Sequence, residues 1–396
     1  MKAKDIIKDL SRTTEEVFSI KELTELLDSG KKLRIKYGVD VTAPTLHIGH
    51  AVNLWMMRKL QDLGHKVIFL IGDFTTSIGD PTGKNALRPI IAKEEIEKNL
   101  EEFIKQAKMV LRFDDPELIE VRRNSEWFGE MPTSGFLNKL MLVTHAKLIS
   151  RDMFRDRIDK GDDIYMHELI YPILQGWDSV ELESDLTIIG TDQLFNEMLG
   201  RFFQEKSGQK PQVIMTTKIT PGIDGRAKQS KSIGNYIGLA HSPREKFGRV
   251  MSIPDDLVES YFIVYTDIFD ATIAKFISEG PMLAKLNLAT EIVRRYHGDK
   301  IAESEKDWFI KTFSDKQSPD DMPEVTVSKS SNLTDLIKQC IGESESNAGV
   351  RRLIDQGAVS IDSTKVEGNQ FQPLPITNTF ELKIGKRRWF KVKIKP

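Results

Sequence analysis

Residues 31–72 read KKLRIKYGVDVTAPTLHIGHAVNLWMMRKLQDLGHKVIFLIG. The alternating run 33–37 is typical of a strand, and residues 47–63 carry apolar side chains near helical spacing until Gly64 closes the pattern. The apolar run 65–72 is typical of a buried parallel strand. A strand, a helix and a second strand within roughly 40 residues predict a right-handed βαβ unit.

The rest of the chain extends this unit into an α/β architecture. A long helix is predicted at 93–112, and the runs 186–190 and 212–215 are typical of two more buried strands. We therefore expect a Rossmann-like open parallel sheet, then an α-helical domain, then a small α+β domain. The expected boundaries are 1–238, 239–325 and 326–396. The first 30 residues are expected to be amphipathic helix, 243–313 to be helical, and 314–331 to be a polar linker.

Composition narrows the class of protein. The 396 residues include 57 basic and 59 acidic side chains, so a nucleic-acid partner would need a local basic patch rather than bulk charge. Cys340 is the single cysteine, which excludes an intramolecular disulfide and a multi-cysteine zinc site. No apolar stretch approaches the length of a membrane span, and no signal-peptide pattern opens the sequence. A cytoplasmic protein is expected.

Two histidines lie between the first strand and its helix. In an open α/β sheet this is the carboxyl end of a strand, where ligands bind, and a helix N-terminus offers N–H groups to an anion. His47 and His50 are one helical turn apart, and Gly49 permits close approach of the backbone. The segment predicts an anion site. Histidines without a function, or a metal pair that lacks a nearby third ligand, are the alternatives.

A cationic cluster at 226–232 follows the turn-forming residues 222–225. Lys228 and Lys231, beside small hydroxyl residues, form a flexible lid that can close on a triphosphate and neutralise a leaving pyrophosphate. A solvated surface charge run is the alternative. Residues 79–84 have the composition of a phosphate loop, but the Walker pattern is absent because an asparagine follows its lysine.

The two clusters, H-I-G-H at 47–50 and K-Q-S-K-S at 228–232, together resemble the paired signature of class I aminoacyl-tRNA synthetases. In that signature a methionine usually stands at the position of Gln229. Several other segments are similar to bacterial tyrosyl-tRNA synthetases, and the C-terminal part is similar to an S4 RNA-binding domain. The former are residues 40–44, 78–84, 171–178, 190–193 and 232–236, and the latter are 350–354 and 356–359.

The resemblance implies a two-step reaction in which ATP activates an amino acid as its adenylate, which is then transferred to the terminal adenosine of tRNA. It implies that the residues around the phosphates are Thr42, His47, His50, Lys228 and Lys231. The further ATP-binding residues that it implies are Gly38, Asp40, Gly49, Lys84, Arg88, Gly190, Asp192, Ser230 and Ser232. ATP is expected as its Mg²⁺ complex, with no tightly bound cofactor and no dedicated metal site.

The expected amino-acid pocket lies on a helix. Tyr171, Gln175 and Asp178 are spaced four and three apart, so they share one helix face. The resemblance implies that Asp178 accepts a hydrogen bond from the phenol of tyrosine, which would reject phenylalanine by about 10⁴–10⁵-fold. The remaining amino-acid-binding residues that it implies are Asp80, Asn124 and Gln193. An ordinary capped helix beside a strand is the alternative.

Three residues depart from the family pattern. Val41 replaces a proline and is expected to loosen the turn into the histidine segment. Trp177 replaces a tyrosine and is expected to be a bulkier packing residue. Ile189 replaces a glycine beside the ribose-binding segment, where it either crowds the nucleotide or points into the sheet.

The C-terminal residues 383–396 carry seven lysines or arginines and no acid. We expect this part to contact RNA at the phosphate backbone. The candidate RNA-binding residues are Arg351, Arg352, Lys386, Arg387 and Arg388. Trp389 and Phe390 either stack on bases or, as strand residues, pack in a core.

The resemblance also implies partners. These are tRNA(Tyr), L-tyrosine, ATP and a second copy of the chain in a homodimer, with neither membrane nor DNA. The helical domain would face the anticodon arm, and the apolar residues within 136–142 would serve the dimer interface or the core. A paralogue that activates a related aromatic amino acid and a non-catalytic RNA-binding descendant are the alternatives.

Overall fold

The computed structural model describes residues 2–79, 91–231, 233–314, 322–328, 331–342, 345–362, 364–375, 377, 379–385 and 388–395. The chain divides into two units, Met1–Ala302 and Glu303–Pro396. The helices are α1 Ala3–Ser11, α2 Ile20–Asp28, α3 Ile48–Asp62, α4 Asp73–Ile78, α5 Lys93–Ala107, α6 Ser125–Phe128, α7 Thr133–Leu140, α8 His145–Ile149, α9 Asp152–Lys160, α10 Met166–Glu181, α11 Leu194–Lys206, α12 Pro243–Met251, α13 Val258–Tyr265, α14 Asp270–Ser278, α15 Pro281–His297, α16 Asp299–Phe309, α17 Leu333–Ile341 and α18 Asn347–Asp355. The strands are β1 Thr14–Phe18, β2 Arg34–Val39, β3 Lys66–Ile71, β4 Ile119–Arg123, β5 Leu186–Gly190, β6 Val213–Thr217, β7 Glu324–Ser328, β8 Val359–Ile361, β9 Thr364–Lys365, β10 Thr379–Ile384 and β11 Arg388–Lys395.

The first unit is built on a six-stranded sheet of order β1-β6-β5-β2-β3-β4. All neighbouring strands are parallel except the β1–β6 pair at one edge. The central strands are almost entirely buried, as expected of a parallel sheet covered on both faces. The predicted βαβ unit is confirmed as β2–α3–β3, and the Rossmann-like α/β class is correct.

Two edge strands were not expected. β1 interrupts the N-terminal segment predicted to be helix throughout; its five residues, TEEVF, include no buried side chain and no apolar run long enough to mark a strand. β4 pairs with β3 on one side only and carries two arginines, so no apolar run marks it. In both cases the neighbouring strand, rather than local sequence, selects the extended conformation.

The helical stretch predicted after residue 243 is confirmed as α12–α16. Within the second unit, a five-stranded sheet of order β7-β11-β10-β8-β9 packs with α17 and α18 around an apolar core. The segment expected to be a linker contains β7, which pairs parallel to β11, so that prediction is wrong for Glu324–Ser328. The division at residues 238 and 325 stays a prediction. Among the helices that the structure describes, none is long and apolar enough to cross a bilayer.

Candidate active site

The sheet of the first unit carries a cavity of about 460 Å³ at the carboxyl ends of its parallel strands. The strand ends that line it belong to β2, β3, β5 and β6. This is the edge at which open α/β sheets bind ligands, because the loops that follow the strands diverge there. Of the predicted site residues, the cavity brings together Gly38, Asp40, Thr42, His47, Gly49, His50, Tyr171, Gln175, Asp178, Gly190, Asp192, Gln193, Lys228 and Lys231.

The two histidines form one wall at the start of α3. Their ring centroids are 3.7 Å apart, and the His47 backbone N–H donates to Nδ1 of His50 at 3.3 Å. Burial lowers the pKa of His50 to about 3, and Lys231 and Lys228 lower it further in the same direction. Burial also lowers the pKa of His47. Both imidazoles are therefore neutral at pH 7 and can offer N–H groups without carrying charge.

The loop that contains Lys228 and Lys231, called the lysine loop below, forms a second wall of the same cavity. Nζ of Lys228 lies 3.4 Å from Oδ2 of Asp192 in an exposed ion pair. Nζ of Lys231 lies 5.4 Å from the centroid of the Phe103 ring, and burial lowers the pKa of this lysine to about 8. Ser230 is in the same loop but does not line the cavity, and its backbone N–H donates to Oδ1 of Asn235 at 2.8 Å. The loop thus presents two cations to the same space as two neutral histidines.

Asp40 joins the end of β2 to the rest of the site. Its Oδ1 accepts from the Thr75 hydroxyl at 2.8 Å, and its Oδ2 accepts from the Tyr171 hydroxyl at 3.0 Å. Gly72 makes room for this arrangement, since a Cβ there would stand 2.3 Å from Oδ1 of Asp40. A Cβ on Gly49 would stand 2.9 Å from Nδ1 of His47. The glycines allow polar side chains to pack directly against backbone.

The helix α10 supplies the inner end of the cavity. Tyr171, Gln175 and Asp178 all line it, which confirms that they share a face. The Trp127 indole N–H donates to Oδ1 of Asp178 at 3.1 Å. Burial raises the pKa of Asp178 well above its usual range, while the positive charge of Lys36 opposes that shift.

Asn124 lies behind the cavity rather than in its wall. It is fully buried, and its Oδ1 accepts from the Phe74 backbone N–H at 3.0 Å. Its Nδ2 donates to the hydroxyl of Thr75 at 3.0 Å, and Thr75 in turn donates to Asp40. The structure therefore places Asn124 one contact away from the cavity.

A buried ion pair at the inner end was missed by sequence reasoning. Nζ of Lys36 lies 2.7 Å from Oε2 of Glu197, and each side chain is only 2% exposed. Lys36 also donates to the Ser179 hydroxyl at 2.7 Å. Gln175 donates to Oε1 of Glu197 at 3.0 Å, and Gln212 donates to Oε2 at 2.8 Å. The available signal was a lysine between the apolar residues Ile35 and Tyr37, but its partner is 161 residues away in the sequence.

The three departures from the family pattern are accommodated differently. Val41 is buried and its N–H donates to the Thr76 hydroxyl at 3.1 Å, which holds the turn. Trp177 does not line the cavity, and its ring packs against Phe203 with centroids 5.7 Å apart. Ile189 does line the cavity, beside Gly190 and Asp192.

The candidate RNA-binding residues belong to the second unit. Arg351 and Arg352 lie on α18, and Arg351 is paired loosely with Asp355 at 3.7 Å. Arg388 begins β11 and is exposed. Trp389 is buried, with Nζ of Lys383 4.5 Å from its ring centroid, so it packs in the fold rather than presenting a stacking face.

Six predicted residues lie outside the described part of the chain. They are Asp80, Lys84, Arg88, Ser232, Lys386 and Arg387.

Comparison with known proteins identifies the class. The model of the family "tRNA synthetases class I (W and Y)" matches residues 28–314, and the chain belongs to this family. The tyrosine–tRNA ligase of Thermotoga maritima is 39% identical over 398 residues, covering 99% of this chain and 98% of that protein. The tyrosine–tRNA ligase 2 of Vibrio parahaemolyticus is also 39% identical, over 98% of each chain.

Solved structures agree at the level of the fold. A C-terminally truncated mitochondrial tyrosyl-tRNA synthetase of Aspergillus nidulans has a TM-score of 0.65 at 22% identity and covers 79% of this chain and 94% of its own. The tyrosyl-tRNA synthetase of Archaeoglobus fulgidus, complexed with L-tyrosine, has a TM-score of 0.57 at 21% identity and covers 77% of this chain and 99% of its own.

Proposed function

We propose that this chain is a tyrosine–tRNA ligase, which activates tyrosine with ATP and transfers it to the terminal adenosine of tRNA(Tyr). The observation that carries the proposal is a single cavity with two different ends. One end holds the histidines of α3 and the lysines of the loop, and the other holds polar side chains of α10. A phosphate chain and an amino acid would therefore meet between them.

In the first step the tyrosine carboxylate attacks the α-phosphate of ATP, and pyrophosphate leaves. The adenylate that remains carries an activated carbonyl. In the second step a ribose hydroxyl of the tRNA attacks that carbonyl, and AMP leaves. Neither step needs a protein nucleophile, so the residues of the cavity act by positioning the reactants and by stabilising charge.

The phosphate end supplies cations and N–H donors. Lys228 and Lys231 neutralise the charge that builds on pyrophosphate, and the neutral rings of His47 and His50 donate hydrogen bonds to phosphate oxygens. Thr42, at the same end, is a further donor. ATP enters as its Mg²⁺ complex, and the metal is part of the substrate. The remaining residues assigned to ATP are Gly38, Asp40, Gly49, Lys84, Arg88, Gly190, Asp192, Ser230 and Ser232.

The inner end selects the amino acid. Asp178 hydrogen-bonds the phenolic hydroxyl, and a phenylalanine ring would leave that buried carboxyl without its partner. Tyr171, Gln175 and Gln193 contact the amino group together with Asp80. Asn124 contributes by holding Thr75 and, through it, Asp40.

The proposal extends to the macromolecular partners. Residues 326–396 are assigned to an S4-like module. It contacts tRNA through Arg351, Arg352, Lys386, Arg387 and Arg388. Residues 239–325 face the anticodon arm. A second copy of the chain covers the exposed apolar side chains of Leu137, Met141 and Leu142, of which Met141 is 82% exposed. A cytoplasmic location follows from charging tRNA for protein synthesis.

Amino-acid-dependent exchange of pyrophosphate into ATP tests the proposal, with each of the twenty amino acids supplied separately. Exchange with tyrosine alone is expected. Exchange with another amino acid would replace the proposal by an aromatic-amino-acid paralogue. No exchange with any amino acid would replace it by a non-catalytic RNA-binding protein.

A further inference from the structure

Gln229 lies between the two lysines of the loop and is buried, with 7% of its surface exposed. Both ends of its side-chain amide are engaged. Nε2 donates to the Tyr265 hydroxyl at 2.8 Å, and Oε1 accepts from the Ile237 backbone N–H at 3.2 Å. A polar side chain that is buried and bonded at both ends fixes the backbone that carries it.

The bond from the Ile237 N–H to Gln229 ties the loop to the histidine segment. The Ile237 carbonyl accepts from the Ile48 N–H at 2.9 Å, and the Leu239 N–H donates to the Leu46 carbonyl at 2.9 Å. The chain around Ile237 therefore runs hydrogen-bonded beside His47. Through Ile237, the position of the lysines is set relative to the position of the histidines.

The bond from Gln229 to the Tyr265 hydroxyl ties the loop to α13. Tyr265 ends that helix and is itself buried, and its hydroxyl also bonds the hydroxyl of Thr220 at the base of the loop. Tyr261, one turn earlier, donates to the Pro221 carbonyl at 2.8 Å. The helix thus braces both the base and the middle of the loop.

We propose that Gln229 is a positioning residue, which holds Lys228 and Lys231 at the phosphate end by joining the loop to Ile237 and Tyr265. The inference deepens the proposed function and rests on it. A methionine has similar length but provides neither bond, so Gln229→Met would leave the Ile237 N–H unpaired in a buried site.

The test compares Gln229→Met, Tyr265→Phe and the double variant in pyrophosphate exchange at varied ATP and varied tyrosine. We expect kcat/KM for ATP to fall by about tenfold in Gln229→Met, as for the loss of one or two neutral hydrogen bonds, and KM for tyrosine to stay unchanged. The Tyr265→Phe variant should lose part of the same activity. The double variant should lose less than the sum of the two single losses, because both substitutions break the Gln229–Tyr265 bond.

The matched control is Tyr296→Phe. Tyr296 is a partly buried tyrosine of the same unit. Its hydroxyl accepts from the Trp55 indole N–H at 3.2 Å, so this substitution removes a tyrosine hydroxyl whose hydrogen bond is to α3 rather than to the loop. This variant should keep the ATP parameters of the wild type. An equal loss in Tyr296→Phe would overturn the proposal, since the loss of a tyrosine hydroxyl elsewhere in this unit would then have the same effect.

A readout independent of catalysis is trypsin cleavage after Lys228 and Lys231. Cleavage should be faster in Gln229→Met than in the wild type, while the two proteins have the same melting temperature. Unchanged cleavage together with unchanged kcat/KM for ATP would refute the role of Gln229. A wild-type chain that shows no exchange with any amino acid would instead refute the proposed function, while the cleavage comparison would still report on the loop.

Discussion

The buried pair of Lys36 and Glu197 offers a sharp test of how the inner end of the cavity is held. The two perturbations are Lys36→Met and Glu197→Gln, each of which removes one charge with little change in side-chain length. In either variant the remaining charge stays in a site where the wild-type side chains are only 2% exposed. The hydrogen-bonding neighbours of the pair, Ser179, Gln175 and Gln212, are neutral. The carboxyl of Asp178 also interacts with the charge of Lys36, but burial raises the pKa of Asp178 and favours its neutral form.

The magnitude follows from the geometry. At a separation of 2.7 Å and an effective dielectric constant of about 20, the attraction is about 6 kcal/mol. Desolvating two ions costs several kcal/mol each, so the intact pair contributes little net stability. Removing one partner leaves the desolvation of the other uncompensated, and we expect the free energy of unfolding to fall by about 3–5 kcal/mol. For a unit of this size that is roughly 6–10 °C in melting temperature.

The assay is thermal unfolding of the two single variants and of the double variant Lys36→Met with Glu197→Gln. The double variant should be more stable than either single variant and should recover at least half of the single variants' loss in the free energy of unfolding, because it leaves neither charge of the pair without its partner. The exposed pair of Lys32 and Glu117, 2.9 Å apart, is the matched control, and Glu117→Gln should cost at most about 1 kcal/mol. The reasoning would be refuted if Lys36→Met and Glu197→Gln were each as stable as Glu117→Gln. It would also be refuted if the double variant lost the sum of the two single losses in the free energy of unfolding.

Three further predictions concern the reaction. Burial lowers the pKa of Lys231 to about 8, so this side chain is charged below that pH and neutral above it. We therefore expect kcat/KM for ATP to fall as the pH rises past about 8. Since arginine stays protonated at these pH values, the Lys231→Arg variant should keep its kcat/KM for ATP to higher pH than the wild type. Identical pH profiles for the two proteins would contradict this. The His50→Ala variant should lose about 2–4 kcal/mol of transition-state stabilisation in kcat/KM for exchange with little change in melting temperature, and normal exchange would contradict the assignment of the phosphate end. The Trp127→Phe variant removes the indole N–H that Asp178 accepts, so KM for tyrosine should rise by about five- to tenfold while KM for ATP stays constant; equal changes in both would point to general damage.

Local sequence predicts the centre of the sheet well, because strands that are buried on both faces are rich in apolar residues. The runs in β3, β5 and β6 are mostly apolar because these strands are buried in the sheet, and β2 is marked by the alternation of apolar and charged side chains. The order of these strands along the chain then specifies the crossover connections. The edge strands leave no such trace. β1 is half exposed and, among the strands that the structure describes, pairs with β6 alone, so its partner rather than its composition determines its conformation.

The site divides in the same way. Tyr171, Gln175 and Asp178 share a face because helical spacing dictates it, and this was predictable. The Lys36–Glu197 pair was not, since it joins a strand to a helix whose separation depends on the packing of the whole unit. The bonds of Gln229 are of this second kind as well. Motifs show which residue types meet a substrate, and long-range packing decides which polar groups neutralise one another.

Under the proposed assignment, this distinction explains how one cavity accommodates two chemically different groups. At the mouth, Lys228 faces Asp192 across 3.4 Å in an exposed ion pair, and Lys231 is half-buried beside an aromatic ring. The protein leaves the positive charges of these two lysines largely without counterions, so an incoming polyanion would be attracted to them strongly. At the inner end, by contrast, Lys36 is fully matched by Glu197, and the raised pKa of Asp178 favours its neutral form. A charged side chain entering there would be desolvated without a counterion, whereas a phenol brings only a hydroxyl that the buried polar groups can bond. The inner end is therefore suited to an amino acid with an uncharged polar tip, and the mouth to a triphosphate.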